Sequence, residues 1–488
     1  MSSSTKNVLL RTAGLLAALT FASAAPAEQA ATAGQRVIHK DVVILGGGAS
    51  GAHAAVRLRE DFGKSIVLVE KQGRLGGHVS TYIDPESGRP IDFGVQSFID
   101  IGGAKDFFAR MNVSIGTPGR IVNKARYVDF KTGEELDYVP PAAADRTAGL
   151  TKFAAAASKY ESMLLPGYWN FPAGKDIPEE LLMPFGDFAR KYGFEAAMPT
   201  IFSVTGLGVG DITKELTMYV LQAFGAPMAR AMLGQVPTFV PASHRNQDLY
   251  DNIAALLGSD VLYSTTATRV ERKPGCGVEV TVRDRAGRET LIKAKRILVS
   301  IEPVGNNMAP FDLDRQERAV FAKMDYSRIY AGIVTNAALP GATSFTNFPT
   351  DAAPSNYMAF PELPFTARFD NLGGDLFRVM ILGDRDTMAC AAKRNAQASL
   401  DRMLQAGTVA FPEGFAGRRK LTFKAFADHG PMHVRVTADQ LRAGFVQEQY
   451  ALQGHRDTWY TGGAWSVQFQ TILWQYNDIV IPKLLQGM

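Results

Sequence analysis

The first residues able to do chemistry lie in the stretch DVVILGGGASGAHAAVRLRE. Gly46, Gly48 and Gly51 form a G-x-G-x-x-G pattern, with Ala49 and Ser50 between the last two glycines. In such a loop the first glycine permits a tight turn. The second lets backbone approach a pyrophosphate, and the third lets a following helix pack on the preceding strand. A helix beginning there presents free N–H groups to anionic oxygens. Glu70 follows about 20 residues later, where a carboxylate can hold ribose hydroxyls. An acid at that point disfavours a ribose 2′-phosphate and so argues against NADP. The chemistry this pattern suits is dinucleotide binding.

These residues need a strand, a helix and a second strand to hold them. Val42, Val43, Ile44 and Leu45 form a continuous apolar run, as expected of a strand covered on both faces. From Ala52 the apolar spacing becomes helical, through Ala55, Val56 and Leu58. SIVLVE then supplies a second strand that ends in Glu70. Strand, glycines, helix, strand and acid occur in that order, which is far more specific than the glycines alone.

The bulk composition narrows the class. The chain has 488 residues, 46% of them hydrophobic, enough for a large core and more than one domain. A formal net charge of +4 with no Lys/Arg block argues against nucleic acid as a partner. Two cysteines, Cys276 and Cys390, give neither a disulfide framework nor a cysteine-based zinc site. The seven histidines are scattered without an HExxH pair, and no metal site is expected.

At the N-terminus, basic Lys6 and Arg11 precede an apolar run from Thr12 to Ala24. Ala22-Ser23-Ala24 reads as a cleavage signal before Ala25-Pro26. Residues 1–24 are therefore expected to be a signal peptide, and the protein to be secreted. The run is shorter than the ~20 residues a membrane span requires. No later stretch is apolar enough, so no integral span is expected. Asn112-Val113-Ser114 is a glycosylation sequon if the chain enters the secretory path.

RLGGHVST places Arg74, Gly76, Gly77 and Thr81 just beyond Glu70 and Lys71. This resembles the R-x-G-G-R-x-x-S/T signature of the flavin-containing amine oxidase superfamily. The resemblance implies FAD as the cofactor, with Lys71 beside the ribose-binding acid and Gly76-Gly77 near the phosphates. His78 stands where that superfamily has Arg. If it faces a phosphate, FAD should loosen as pH rises through the histidine range. IDFGVQSF resembles the segment passing the flavin ring and implies Gly94, Val95 and Gln96 close to it. Gln96 reads equally well as a strand residue bonded to backbone.

Further along, NQDLYDNIAALLG is an amphipathic helix with Leu249, Ile253, Leu256 and Leu257 on one face. Val278, Val280 and Val282 alternate on a strand between turns at Lys273-Pro274-Gly275 and Ala286-Gly287. The pattern predicts a three-strand meander followed by an apolar strand, RILVSI. It resembles the superfamily's second FAD-domain segment and implies that backbone near Val270 meets the adenine. Gly462-Gly463 near the C-terminus reads as the start of a helix suited to phosphate or flavin approach. The implied fold is α/β and amine-oxidase-like. A discontinuous Rossmann-type FAD-binding domain (37–110, 240–305 and 420–488) carries an inserted α+β substrate domain. The insertions are 111–239, read as helices, and 306–419, read as strands.

LMPFGDFARKYGFEA, MHVRVTADQLRAGFVQEQYALQG and TWYTGG narrow the resemblance to the secreted FAD-dependent oxidoreductases similar to β-cyclopiazonate dehydrogenase. That family implies hydride removal from a small metabolite, with fungal secondary metabolism among its settings. The near-neutral insertions and many aromatics favour a largely apolar one. A redox-neutral double-bond isomerase and a non-catalytic flavin-fold carrier are the alternatives; the intact glycines and Glu70 speak against the carrier. His429 and His433 are candidate bases, each weighed against a structural histidine. Trp169, Trp459, Tyr460 and Trp465 suit either a substrate slot or, more often, core. No catalytic residue is assigned, and no pattern specifies the electron acceptor.

Overall fold

The computed structural model describes residues 36–119, 121–273 and 275–488. The expected signal peptide, 1–24, and Pro274 of the expected turn lie outside these residues.

The glycine loop sits where the sequence pattern puts it. Strand β1 (Arg36–Leu45) leads through Gly46–Gly48 into helix α1 (Ala49–Val56), and strand β2 (Ile66–Val69) returns parallel to β1. Val42, Val43 and Ile44 are fully buried because both faces of the sheet are covered. β1 is central. On one side lie β2 and the short strand Val261–Leu262; on the other lies Glu289–Val299, also parallel to β1. Thr265–Lys273 and Gly277–Asp284 extend that side as an antiparallel meander, and Thr458–Tyr460 pairs parallel with Ile297–Val299. The meander's third strand and the expected apolar strand are one element, Glu289–Val299. No turn residue separates them, and β1 pairs with the whole length. Val278, Val280 and Val282 are buried on one face as their alternation requires.

A second sheet has the order Thr422–Arg435, Asp325–Thr335, Phe377–Gly383, Phe365–Asn371, Thr343–Asn347 and Lys124–Val128. Helix Ala389–Gln405 covers it with Ala392, Ala396, Leu400 and Met403, spaced along one helical face. Most of the 111–239 insertion is helical. Phe153 on helix Ala143–Ser158 packs edge-on against Phe185, Phe194 and Phe224. Within the 420–488 segment, Thr422–Arg435 is a 14-residue strand of this second sheet, while Thr458–Tyr460 belongs to the first. Helix Gln470–Leu485 then packs on α1, where Asn477 donates to the Ser50 carbonyl at 2.8 Å and Trp474 to that of Ala49 at 3.2 Å.

Among the described residues, no helix is long and apolar enough to cross a membrane. No group of three or more His, Cys, Asp or Glu among them is placed to hold a metal ion.

Candidate functional site

A cleft of about 350 Å³ opens at the C-terminal end of β1. Ligands of open α/β sheets bind beyond the carboxyl ends of the strands, and this volume lies within the ordinary range for small-molecule sites. The floor is the glycine loop. Gly46 adopts φ +102°, a backbone state that favours glycine, and its N–H donates to the Val69 carbonyl at 2.9 Å. The first amide of α1 to bond back is that of Ala52, to the Gly48 carbonyl at 2.9 Å. The amides of Ala49, Ser50 and Gly51 are left without a helical acceptor, at the positive end of the helix dipole.

The glycines divide their work. A Cβ on Gly51 would overlap the Gly46 carbonyl oxygen and lie 2.5 Å from Ser300 Oγ, so this glycine lets α1 close on the strand end. A Cβ on Gly48 would meet only Gly77 Cα, at 3.7 Å, and would otherwise point into free space. Gly77, at φ +55°, faces it: a Cβ there would lie 2.9 Å from Gly48 Cα. The two bare backbones thus touch, with no gap between them, and together they make a stretch of cleft wall free of side chains along which an anionic group could lie. That fits the pyrophosphate of a dinucleotide. Gly76 backs the arrangement, with its N–H donating to the Gly47 carbonyl at 2.9 Å.

Glu70 is 4% exposed and lines the cleft. Its Oε2 accepts from Gly47 N–H at 2.7 Å and its Oε1 from Gln72 N–H at 2.6 Å. The carboxylate therefore braces the glycine loop, and each oxygen keeps a second lone pair for a ribose hydroxyl. Lys71 flanks the cleft and is exposed. Arg74 does not line it. Arg74 donates to Gln247 Oε1 at 2.8 Å, and burial lowers its pKa from the usual arginine value.

His78 lines the cleft with its ring 5.0 Å from that of His429. Burial pushes His78 down to about 4, against a hydrogen bond to the His429 backbone. It is a neutral imidazole at neutral pH, so the expected loosening of FAD through the ordinary histidine range does not follow from this environment. His429 also lines the cleft. It is held well below the usual histidine range by burial, then by His78 and Arg74, and its Nε2 has no hydrogen-bond partner. His433 is 4% exposed, outside the cleft, and lowered to about 3 by burial.

Of the IDFGVQSF segment, Val95 reaches the cleft. Gly94 serves a close backbone crossing: a Cβ there would overlap the His78 carbonyl oxygen. Gln96 is exposed, donates to the Asp92 and Gly94 carbonyls at 3.0 Å each, and accepts from Arg378. From the meander, Thr265, Thr266 and Ala267 form the wall. Val270 does not. It is fully buried, its N–H donates to Pro310, and its carbonyl accepts from Asp312, so its backbone is already paired. Gly462 and Gly463 line the cleft, but no long helix starts there. A single 3-10 turn, Gly463–Trp465, intervenes, and the helix begins at Gln470.

The aromatic candidates belong to the core. Tyr460 stacks on Trp465 with ring centroids 4.7 Å apart, and both are fully buried. Trp459 is buried, and Trp169 packs against Tyr450 and Tyr476. Cys276 and Cys390 are exposed and unpaired. Ser300–Glu302, Asp428–Pro431 and Gln468 are among the further segments of the walls; of these residues the sequence patterns reach only Ser300 and Ile301, at the end of RILVSI, and the candidate base His429. An acid directly after the apolar run RILVSI was the one available signal for Glu302.

Residues 44–111 match the NAD(P)-binding Rossmann-like domain family. The chain is 34% identical over 448 residues to the β-cyclopiazonate dehydrogenase of Aspergillus flavus, covering 92% of this chain and 93% of that protein. It is 35% identical over 461 residues to an FAD-dependent oxidoreductase of Monascus ruber, covering 93% of each. Among solved structures, a fatty acid isomerase from P. acnes superposes with a TM-score of 0.69 at 17% identity, over 91% of this chain and 99% of that one. Cyclohexylamine oxidase from Brevibacterium oxydans gives 0.56 at 16%, over 91% and 99%. The fold is thus a Rossmann-like α/β fold of the amine oxidase type. The chain belongs to the family of FAD-dependent oxidoreductases that includes the β-cyclopiazonate dehydrogenases.

Proposed function

We propose that the protein binds FAD along Gly48 and Gly77 and oxidises a small, largely apolar metabolite of secondary metabolism. The contacting glycine pair carries this reading, because it leaves the cleft wall beside Gly48 bare, where a side chain would take the space of a phosphate group. The chain is an FAD-dependent oxidoreductase, as its family is. FAD, when bound, supplies the two-electron acceptor for hydride removal from carbon. The chain's own residues bind and orient it. The amides of Ala49 and Ser50 would face the phosphates, Glu70 would hold ribose hydroxyls, and Thr265–Ala267 would wall the adenosine side. Neutral His429, a cleft residue whose buried Nε2 has no hydrogen-bond partner, is the candidate to accept or relay a proton. β-Cyclopiazonate dehydrogenase is named for its own substrate, and this chain takes a substrate of that general class, a small metabolite.

The order of basic start, apolar run and A-x-A site supports export with removal of residues 1–24. Asn112 is exposed at the end of helix Ala104–Arg110 and is accessible to a glycan on that route. N-terminal sequencing of the exported protein tests the cleavage, and a mass shift on glycosidase treatment tests the glycan.

The decisive experiment is anaerobic. The purified protein should be yellow, a substrate should bleach the flavin, and an acceptor should restore it. Product mass should fall by two hydrogens. An unchanged mass with a moved double bond would replace oxidation by isomerisation. Absence of flavin absorbance even after FAD is added would overturn the reading as a whole.

A further inference from the structure

Glu302 is the one acid of the cleft whose surroundings do not suit a negative charge. It follows strand Glu289–Val299 by three residues, and its position relative to the glycine loop is set by its neighbours. Ser300 Oγ donates to the Leu45 and Gly46 carbonyls at 3.0 and 2.7 Å. The Ile301 side chain lies against Gly46, within 2.8 Å of where a Cβ would stand. Glu302 itself lines the same cleft. Its Oε1 accepts one hydrogen bond, from Gln468 Nε2 at 3.3 Å. Its Oε2 is buried and has no hydrogen-bond partner. Among the described residues it forms no ion pair. A carboxylate so placed would stand uncompensated beside the phosphates of a dinucleotide, whereas a carboxylic acid has a proton to give.

We infer that Glu302 enters the cofactor site as the neutral acid and donates a hydrogen bond to bound FAD, so that FAD retention falls as pH rises. The inference rests on the FAD reading above. The environment agrees with it. Burial raises Glu302 to about 7, opposed by the lesser influences of Gln468 and the nearby Ala464 backbone. The negative charge of the cofactor favours the protonated form further. Binding above neutral pH therefore takes up one proton from solvent, which comes to rest on Oε2.

Other titratable groups face the cleft. Glu70, Lys71 and His78 do so from the N-terminal segment, Asp428 and His429 from strand Thr422–Arg435, and Tyr168 lies behind Glu302. Burial keeps His78 at about 4 and His429 well below the usual range, so both stay neutral where Glu302 titrates. Tyr168 is raised well above its usual range by burial and stays protonated there.

The test is titration of the flavin-free full-length chain with FAD from about pH 6 to about pH 9, read by quenching of FAD fluorescence. The wild type should lose affinity above about pH 7, by up to about tenfold per pH unit. Glu302→Gln, which keeps a donor and cannot ionise, should bind with a flat profile. Glu302→Ala should be flat and weaker than the wild type at the acid end. Calorimetry of the wild type in two buffers of different ionisation enthalpy should show proton uptake above neutral pH, a readout that needs no variant. A flat wild-type profile without proton uptake overturns the inference, as does a Glu302→Gln profile as steep as the wild type. Failure of the wild type to bind FAD at any pH would instead overturn the cofactor site.

Discussion

Gly51 and Gly48 stand three residues apart in one motif, yet a methyl group should act on them in opposite states of the protein. At Gly51 it overlaps the Gly46 carbonyl and comes within 2.5 Å of Ser300 Oγ, both fixed by the β1 and Glu289–Val299 pairing. Forcing a methyl into such a contact costs typically ~1–3 kcal/mol, and here the upper end applies because backbone must move. The gain of alanine over glycine in a helix returns about 1 kcal/mol. Gly51→Ala should therefore lower the stability of the FAD-free protein by about 2 kcal/mol. At Gly48 the nearest atom is 3.7 Å away and φ is −73°, which alanine adopts freely. Gly48→Ala should change FAD-free stability by less than about 1 kcal/mol, the loss from a poorer N-cap. It should weaken FAD ten- to hundredfold, about 1.4–2.8 kcal/mol, because the methyl occupies phosphate space. Urea unfolding of the flavin-free variants and FAD titration of each separate the two effects. The reasoning fails if Gly48→Ala destabilises the flavin-free chain as much as Gly51→Ala, or if it leaves FAD affinity unchanged.

Other outcomes follow from the same geometry. Glu70→Gln replaces one acceptor oxygen by an NH2 donor facing a backbone N–H at 2.6–2.7 Å, so unfolding of the flavin-free variant should show a loss of about 1–3 kcal/mol. Arg272 is 1% exposed and paired with Glu317 and Asp312; Glu317→Ala should cost about 3–5 kcal/mol by leaving that charge buried, measured by thermal unfolding. His53 and His433 are lowered by burial to about 3, below their unfolded values, so their contribution is complete above the ordinary histidine pKa and is lost as pH falls through it. Each should remove about 1.4 kcal/mol per pH unit below that point, and His433→Gln should flatten its share of the slope in unfolding curves taken between about pH 7 and about pH 5.

What is local was legible along the chain. The apolar run of β1, the glycines, the helical spacing of α1 and Glu70 all lie in one βαβ unit, whose geometry depends on neighbours in the chain. The meander was legible for the same reason, because alternation and turns are short-range signals. Which distant groups meet that unit depends on long-range packing. Gly77 faces Gly48 because the chain folds back beyond β2, and no motif encodes that distance. Val270 is turned out of the cleft because the backbone at Pro310 and Asp312 claims its hydrogen bonds. Trp459 and Tyr460 went to the core because their strand pairs with Ile297–Val299 of the first sheet, and Trp465 is buried against Tyr460. Glu302, His429 and Gln468 come from three separate segments. Their meeting depends on how Thr422–Arg435 of the second sheet reaches the cleft and on the register of Glu289–Val299 against β1. Both are contacts between segments far apart in sequence, settled by packing and not by any periodicity the chain displays.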